Sequence, residues 1–345
     1  MTKTHKSENG NNADIYILKN SKGIEVKVMN YGGVITSIKT PDKQRNFENI
    51  VLGFDSSEKY LSEKYIESNP YFGAIIGRYA NRIEAGKFSL NGEEHQLDVN
   101  NDGNHLHGGE KGFDKVFWEV ESVNNTTVSL SYLSKDGEMG YPGNLKVRVK
   151  YTLTEDNELV IEYFAKTNKA TPVNLTHHDY FNLSGDHESK IHDHKLRINA
   201  GRYTPVNDNW IPTGELLPVE GTPLDFTESR TVGERISDLK NGYDHNFVID
   251  DWDGNLKPVA VLEHPKSGRK MEVCSTEPGM QFYTGNFLDG SLQNEKGQEF
   301  DKNCALCLET QHFPNSPNTD HFPDTILNPD EEYGSKTVYR FSVVS

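Results

Sequence analysis

The sequence is short of cysteine, with three in 345 residues: Cys274, Cys304 and Cys307. Three thiols cannot build a disulfide framework, so reduced cysteines in a cytoplasmic protein are the simplest expectation. Cys304 and Cys307 do form a C-x-x-C, but in the strand-like run CALCLET, where residues three apart point to opposite faces. With no second such pair and no helix start beside it, buried free thiols are expected rather than a metal or redox site. No apolar run approaches membrane-spanning length, so no membrane role is expected. The opening MTKTHKSENGNNA lacks the apolar core of a secretory signal and reads as a flexible polar tail, residues 1–13. Basic residues are outnumbered 36 to 52, giving a net charge of −16. Such a surface repels phosphate backbones, which argues against nucleic acid as a partner. A phosphate-cradling glycine loop, a dinucleotide fingerprint and a nucleophile motif are also missing.

What is present is punctuation. Twenty-nine glycines and 15 prolines divide the chain into many short runs, an all-β pattern, and its length suffices for a sizeable core. Asp14–Leu18, Ile24–Met29 and Val34–Ile38 read as strands, with a turn at Asn30–Gly33 between the last two. A charged, tyrosine-bearing stretch over 56–69 suits a short surface helix, as does Thr231–Leu239. The clearest strand runs from Leu145 to Thr154, where Leu145, Val147, Val149, Tyr151 and Leu153 alternate with polar residues. Leu159, Ile161, Tyr163 and Ala165 continue the alternation after a turn, making a hairpin. Lys336–Val344 alternates again. Without repeats or a linker, residues 14–345 are expected to form a single domain.

The hairpin leads into TPVNLTHHDYFNLSG, Thr171–Gly185, which reads as another strand. Period-2 alternation puts Thr176, His178 and Tyr180 on one face, and His177, Asp179 and Phe181 on the other. Upstream, FGAIIGRYANRI carries Arg78, Asn81 and Arg82 after an apolar run. Those guanidinium forks suit hydroxyls or carboxylates, or equally structural salt bridges. NHLHGG places His105 and His107 before two glycines that would let the backbone approach a ligand; with no third ligand close by, a metal is not expected there. His187, His192 and His194 lie in a charged loop and are expected to be solvated. GYDHN sets Asp244 and His245 at the lip of an apolar run, and EPGMQFYTGNF carries Gln281. Glu309, among apolar neighbours in ALCLETQ, needs a partner or a shifted pKa. One carboxylate and one imidazole are the minimum for removing one proton while donating another.

Taken together and in this order, FGAIIGRYANRI, NHLHGG, TPVNLTHHDYFNLSG, GYDHNF, EPGMQFYTGNF and LETQHFPNSPN resemble the aldose 1-epimerase (galactose mutarotase) family. The resemblance implies a large antiparallel β-sandwich, the supersandwich, with few short helices and an open sugar cleft on one sheet. It implies Glu309 as general base, His178 as general acid and His107 as a second catalytic histidine near the ring oxygen. Asn81, Arg82, Asp244 and Gln281 would hold sugar hydroxyls, joined by Tyr180, His107 and His178. Members usually carry Asn or Gln in place of His177 and Ser or Thr in place of Asp179. The implied activity is interconversion of the α and β anomers of free aldohexoses such as galactose and glucose. The implied partner is a monosaccharide alone, with neither cofactor nor metal, in a monomer or weak homodimer. The alternatives are a carbohydrate-binding module, a glycoside hydrolase using Asp244 and Glu309, and a hexose-phosphate epimerase, the last disfavoured by the acidic charge.

Overall fold

The computed structural model describes residues 3–6 and 12–344. It is built on one large antiparallel sheet of nine strands. Their order across the sheet is Glu119–Val123, Thr127–Ser134, Leu145–Leu153, Glu158–Thr167, Tyr333–Val343, Arg269–Ser275, Lys257–His264, Lys195–Ile198 and Arg230–Thr231. The expected hairpin lies inside it, in register from Leu145↔Thr167 to Leu153↔Leu159. Along both strands buried and more exposed residues alternate, because one face meets the core and the other meets water. The chain's closing strand pairs with Glu158–Thr167 on one side and Arg269–Ser275 on the other, tying the end of the sequence into mid-sheet.

Two five-stranded antiparallel sheets accompany the large one, together with several two-stranded ladders. One is made of consecutive strands Lys3–Lys6, Asn12–Lys19, Glu25–Met29, Ile35–Pro41 and Phe47–Asn49. The other orders Leu217–Pro218, Arg202–Thr204, Asp244–Val248, Gly279–Tyr283 and Cys307–Gln311. A continuous apolar core draws on all three sheets, from Leu18 to Phe341. The all-β expectation therefore holds. The helices at Ser57–Tyr60 and Glu63–Ser68 are short, and the side chains of Ser56 and Ser62 cap them by accepting from the amides of Glu58 and Tyr65. No helix among the described residues is long and apolar enough to cross a membrane.

Three local expectations need correction. Within the stretch read as a frayed tail, Lys3–Lys6 is a strand paired with Asn12–Ile15, while residues 1–2 and 7–11 lie outside the described residues. Thr231–Leu239 makes two 3₁₀ turns, Val232–Glu234 and Ile236–Asp238, where Gly233 and the β-branched residues weaken a longer helix. Thr171–Gly185 is extended but is not one strand. Thr171–Pro172 pairs with Ile326–Leu327, Thr176–His177 pairs with Ile75–Ile76, and Phe181 bridges Val51 and Leu306. Pro172 lacks an amide to continue a ladder, and the Asn174 side chain bonds His312 at both its N–H and its carbonyl.

Candidate active site

Strands Asp244–Val248, Gly279–Tyr283 and Cys307–Gln311 form the floor. Their registers set Asp244 opposite Tyr283, Asn246 opposite Gln281 and Gln281 opposite Glu309. Directly paired residues share a face, so Asp244, Gln281, Tyr283, Cys307 and Glu309 project together. The alternate residues Phe247, Phe282 and Leu308 enter the core, each contributing about 1.5–3 kcal/mol by burial. That anchoring explains why a glutamate can follow the apolar run Ala305–Leu308 on a buried strand.

Facing this floor is the irregular segment around His178. Gly73 N–H donates to the His178 carbonyl at 2.9 Å, and His178 N–H donates to the Ala74 carbonyl at 3.0 Å. The Thr176 hydroxyl donates to the Thr310 carbonyl at 2.7 Å, lashing the segment to the strand that bears Glu309. His178 Nε2 then lies 3.7 Å from Glu309 Oε2, an oxygen with no hydrogen-bond partner among the described residues. His107 stands edge-on to His178, ring centroids 5.4 Å apart, and its Nδ1 accepts the Asn81 amide at 3.2 Å. In the neutral ring that leaves Nε2 to carry the proton. Its loop turns tightly because Gly108, at φ +90°, has its α-carbon against the Gly77 backbone; a Cβ there would sit 1.8 Å from the Gly77 oxygen. The glycine approaches protein backbone, not a ligand.

These elements enclose an open cavity of about 410 Å³. Every site residue read from the sequence lines it: Asn81, Arg82, His107, His178, Tyr180, Asp244, Gln281 and Glu309. Arg82 donates from Nε to Asn101 Oδ1 at 3.1 Å and lies over Trp210 at 6.0 Å. Gln281 donates to Asp244 Oδ1 at 2.6 Å. Sequence reasoning missed Tyr71, Asn101 and Trp210. All three sit on loops without periodicity, and a tryptophan in the polar run NDNW was the one available signal. Arg78, weighed beside Arg82, goes elsewhere. Its guanidinium is buried on Ser134 and the carbonyls of Pro142 and Gly143.

Burial dominates the electrostatics. It pushes the Glu309 carboxyl well up, with the nearby negative charges of Asp244 and Asp179 adding to the rise. It pushes His178 down to about 3, helped by the charge of His177. His107 is also driven well below its usual value by burial, and then by His178 and Arg82. Asp244 is raised by burial, against the opposing pull of Arg82 and its hydrogen bond from Gln281. Behind the segment, His177 Nδ1 lies 2.9 Å from Asp179 Oδ2 and its Nε2 lies 3.2 Å from the Tyr151 hydroxyl. The two faces expected from alternation are thus both present, one lining the cavity and one buried in the core. His187 and His194, expected in solvent, are buried as well; His187 meets the Asn49 carbonyl and His194 accepts the Leu183 amide, while His192 is exposed.

Ligand atoms of His107, His178 and Glu309 lie within 4.8 Å of one another, a grouping that could surround a metal ion. The chemistry of the donors fits poorly. His107 Nδ1 already accepts an amide proton, so in the neutral ring Nε2 carries the hydrogen and neither nitrogen has a free lone pair to offer.

Comparison with known proteins bears on this geometry. A profile of the family described as aldose 1-epimerase matches residues 14–340. The chain is 45% identical to a galactose mutarotase of Bos taurus over 324 residues, 94% of this chain and 92% of that protein. It is 37% identical to an aldose 1-epimerase of Escherichia coli over 331 residues, 94% of each. Among solved structures, an aldose epimerase homologue from C. elegans superposes with a TM-score of 0.88 at 28% identity, covering 96% of this chain and all of that one. A galactose 1-epimerase from Lactobacillus acidophilus gives 0.86 at 27% identity, covering 100% and 99%.

Proposed function

The chain belongs to the aldose 1-epimerase family, and on that premise we propose that Glu309 and His178 are the base and acid that open and close its sugar. The enzyme is an isomerase, a mutarotase that interconverts the anomers of a sugar. Its preferred substrates, on our reading, are free aldohexoses such as galactose and glucose. One observation carries the assignment of roles: a carboxyl and an imidazole 3.7 Å apart, both buried, lining an open cavity.

Ring opening moves two protons. The Glu309 carboxylate takes the proton of the C1 hydroxyl, the C1–O5 bond breaks as the aldehyde forms, and His178 Nε2–H gives its proton to O5. Rotation about C1–C2 presents the other carbonyl face, and the same transfers run backwards. Throughout, the pair holds one proton. In the open form that proton is on Glu309 and the imidazole is neutral, the arrangement that burial of both groups favours. Charge separation in the closed form is costly in a desolvated site, and the sugar's hydroxyls and the Arg82 guanidinium offset it. His107 Nε2–H is directed to the ring-oxygen side, and Asn81, Asp244 and Gln281 hold hydroxyls over the Tyr180 and Tyr71 rings.

The pH dependence follows from the same pair. Activity needs it singly protonated, so the acid limb tracks His178, depressed to about 3, and the alkaline limb tracks Glu309, raised above its usual 4.5. A broad bell is expected. Polarimetry over a panel of α-aldoses tests the reading: wild type should accelerate mutarotation of galactose and glucose, and His178→Asn should lose that acceleration. Sugar binding with no effect on the rate in wild type would instead make this a binding module.

Residues 14–345 are taken as a single domain, supported by a core that runs from Leu18 to Phe341. A cytoplasmic location is supported by three unpaired, buried cysteines. A monomer or weak homodimer is our expectation, to be checked by sedimentation.

A further inference from the structure

Two tyrosine rings stack on the His178 ring. Tyr180 lies at 5.0 Å and Tyr71 at 5.7 Å, each inclined by 24°. The nitrogens lie at the ring's edge, and one strand supplies a neighbour to each there. Cys307 Sγ lies 3.5 Å from Nδ1, and Glu309 Oε2 lies 3.7 Å from Nε2. Residues 307 and 309 are two apart, so strand geometry alone puts both on the face that meets the ring.

We propose that Cys307 is a positioning residue whose sulfur accepts the Nδ1–H of His178, reserving Nε2 as the nitrogen that exchanges its proton with the sugar. The inference rests on the acid role given to His178 above. A ring that donates from Nε2 and stays neutral afterwards must keep its other proton on Nδ1. In the transfer the Nε2–H bond breaks and O5–H forms, while Nδ1–H is untouched. Were the thiol to donate to Nδ1 instead, the neutral ring could release a proton only by becoming an imidazolate, which no group at this edge stabilises.

A further observation supports that direction. Burial and the adjoining Glu309 push the thiol well above its usual range, so sulfur stays an uncharged, soft acceptor. A carboxylate in its place would hold the ring protonated. A neutral sulfur orients the ring while leaving His178 free to discharge, as ring opening requires.

The test begins with the unaltered enzyme. Histidine labelled with ¹⁵N should show the buried His178 ring, neutral at pH 7, with its proton on Nδ1; a proton on Nε2 overturns the proposal. Cys307→Ser keeps an acceptor, and kcat should stay within about threefold of wild type. Cys307→Val is similar in size but has no acceptor, and kcat should fall about tenfold with KM little changed, roughly the effect of one lost hydrogen bond. A packing role predicts the opposite order, since valine suits an apolar site better than serine. Valine matching serine in kcat, or exceeding it, also overturns the proposal. If Glu309→Gln and His178→Asn were active while the tautomer was as expected, the acid–base reading would fail and the sulfur contact would be only structural. If those two variants were inactive and Cys307→Val normal, only the present inference would fall.

Discussion

Among the described residues, two places gather two histidines and one carboxylate with ligand atoms within 4.8 Å: His107, His178 and Glu309 in the cavity, and Asp193, His194 and His264 outside it. Their composition is the same and their physics is opposite. The Asp193 side chain is 42% exposed and takes Lys266 at 2.7 Å, with His264 and His194 at 3.6 and 3.7 Å. These neighbours hold its carboxyl below the usual range, the His194 contact contributing most. Glu309 is 2% exposed, has an oxygen without a hydrogen-bond partner among the described residues, and is pushed up. A satisfied carboxylate braces a surface; an unsatisfied buried one is poised to take a proton. Burial and missing partners, more than residue type, separate the two clusters.

The largest break in this parallel should come from removing each carboxylate. Glu309→Gln is expected to lower kcat by about 10²–10⁴-fold, the scale of one positioned acid or base. Asp193→Asn should stay within about twofold, since Asp193 does not line the cavity. Mutarotation followed by polarimetry measures both, and comparable losses would erase the distinction. The cations sharpen it next. Arg82→Lys surrenders the guanidinium fork aimed at Asn101 and the packing on Trp210, so KM should rise about tenfold with a smaller change in kcat. Lys266→Ala, at the other cluster, should leave KM unchanged.

The smallest effect is in stability, and here the clusters should differ in sign. Glu309 is raised in the fold, so its contribution is full below the unfolded value near 4.5 and is lost as pH rises through the folded value. Glu309→Gln should therefore unfold at higher denaturant than wild type, by a margin that grows with pH above about 4.5. Asp193 is depressed, so its contribution is present above about 3.8 and lost as pH falls. Asp193→Asn should be slightly less stable than wild type at neutral pH, and the deficit should close in acid. Urea melts at pH 2, 4, 6 and 8 read both trends.

The same contrast shows what a sequence can reveal. Hairpin Leu145–Leu153 and Glu158–Thr167 is legible because every second side chain repeats one environment. The two faces of 176–181 were legible for the same reason, although Thr171–Gly185 pairs with several different segments in turn and is no continuous strand. Glu309 stood out as a charge amid apolar residues on a strand. Tyr71, Asn101 and Trp210 did not, because loop placement obeys no period. Nor did the sequence tell Arg78 from Arg82, since the carbonyls that absorb Arg78 come from Pro142 and Gly143, far along the chain. His194 looked like a solvated loop histidine because the amide it accepts, Leu183, reaches it only through the fold.

The central claim is that Glu309 and His178 face the two oxygens of one hemiacetal. A crystal structure of Glu309→Gln with galactose bound in the cavity tests it most directly. The account predicts the C1 hydroxyl against the side chain at position 309 and the ring oxygen against His178 Nε2. A sugar seated with C1 and its ring oxygen turned outward to Trp210, away from both groups, would contradict it.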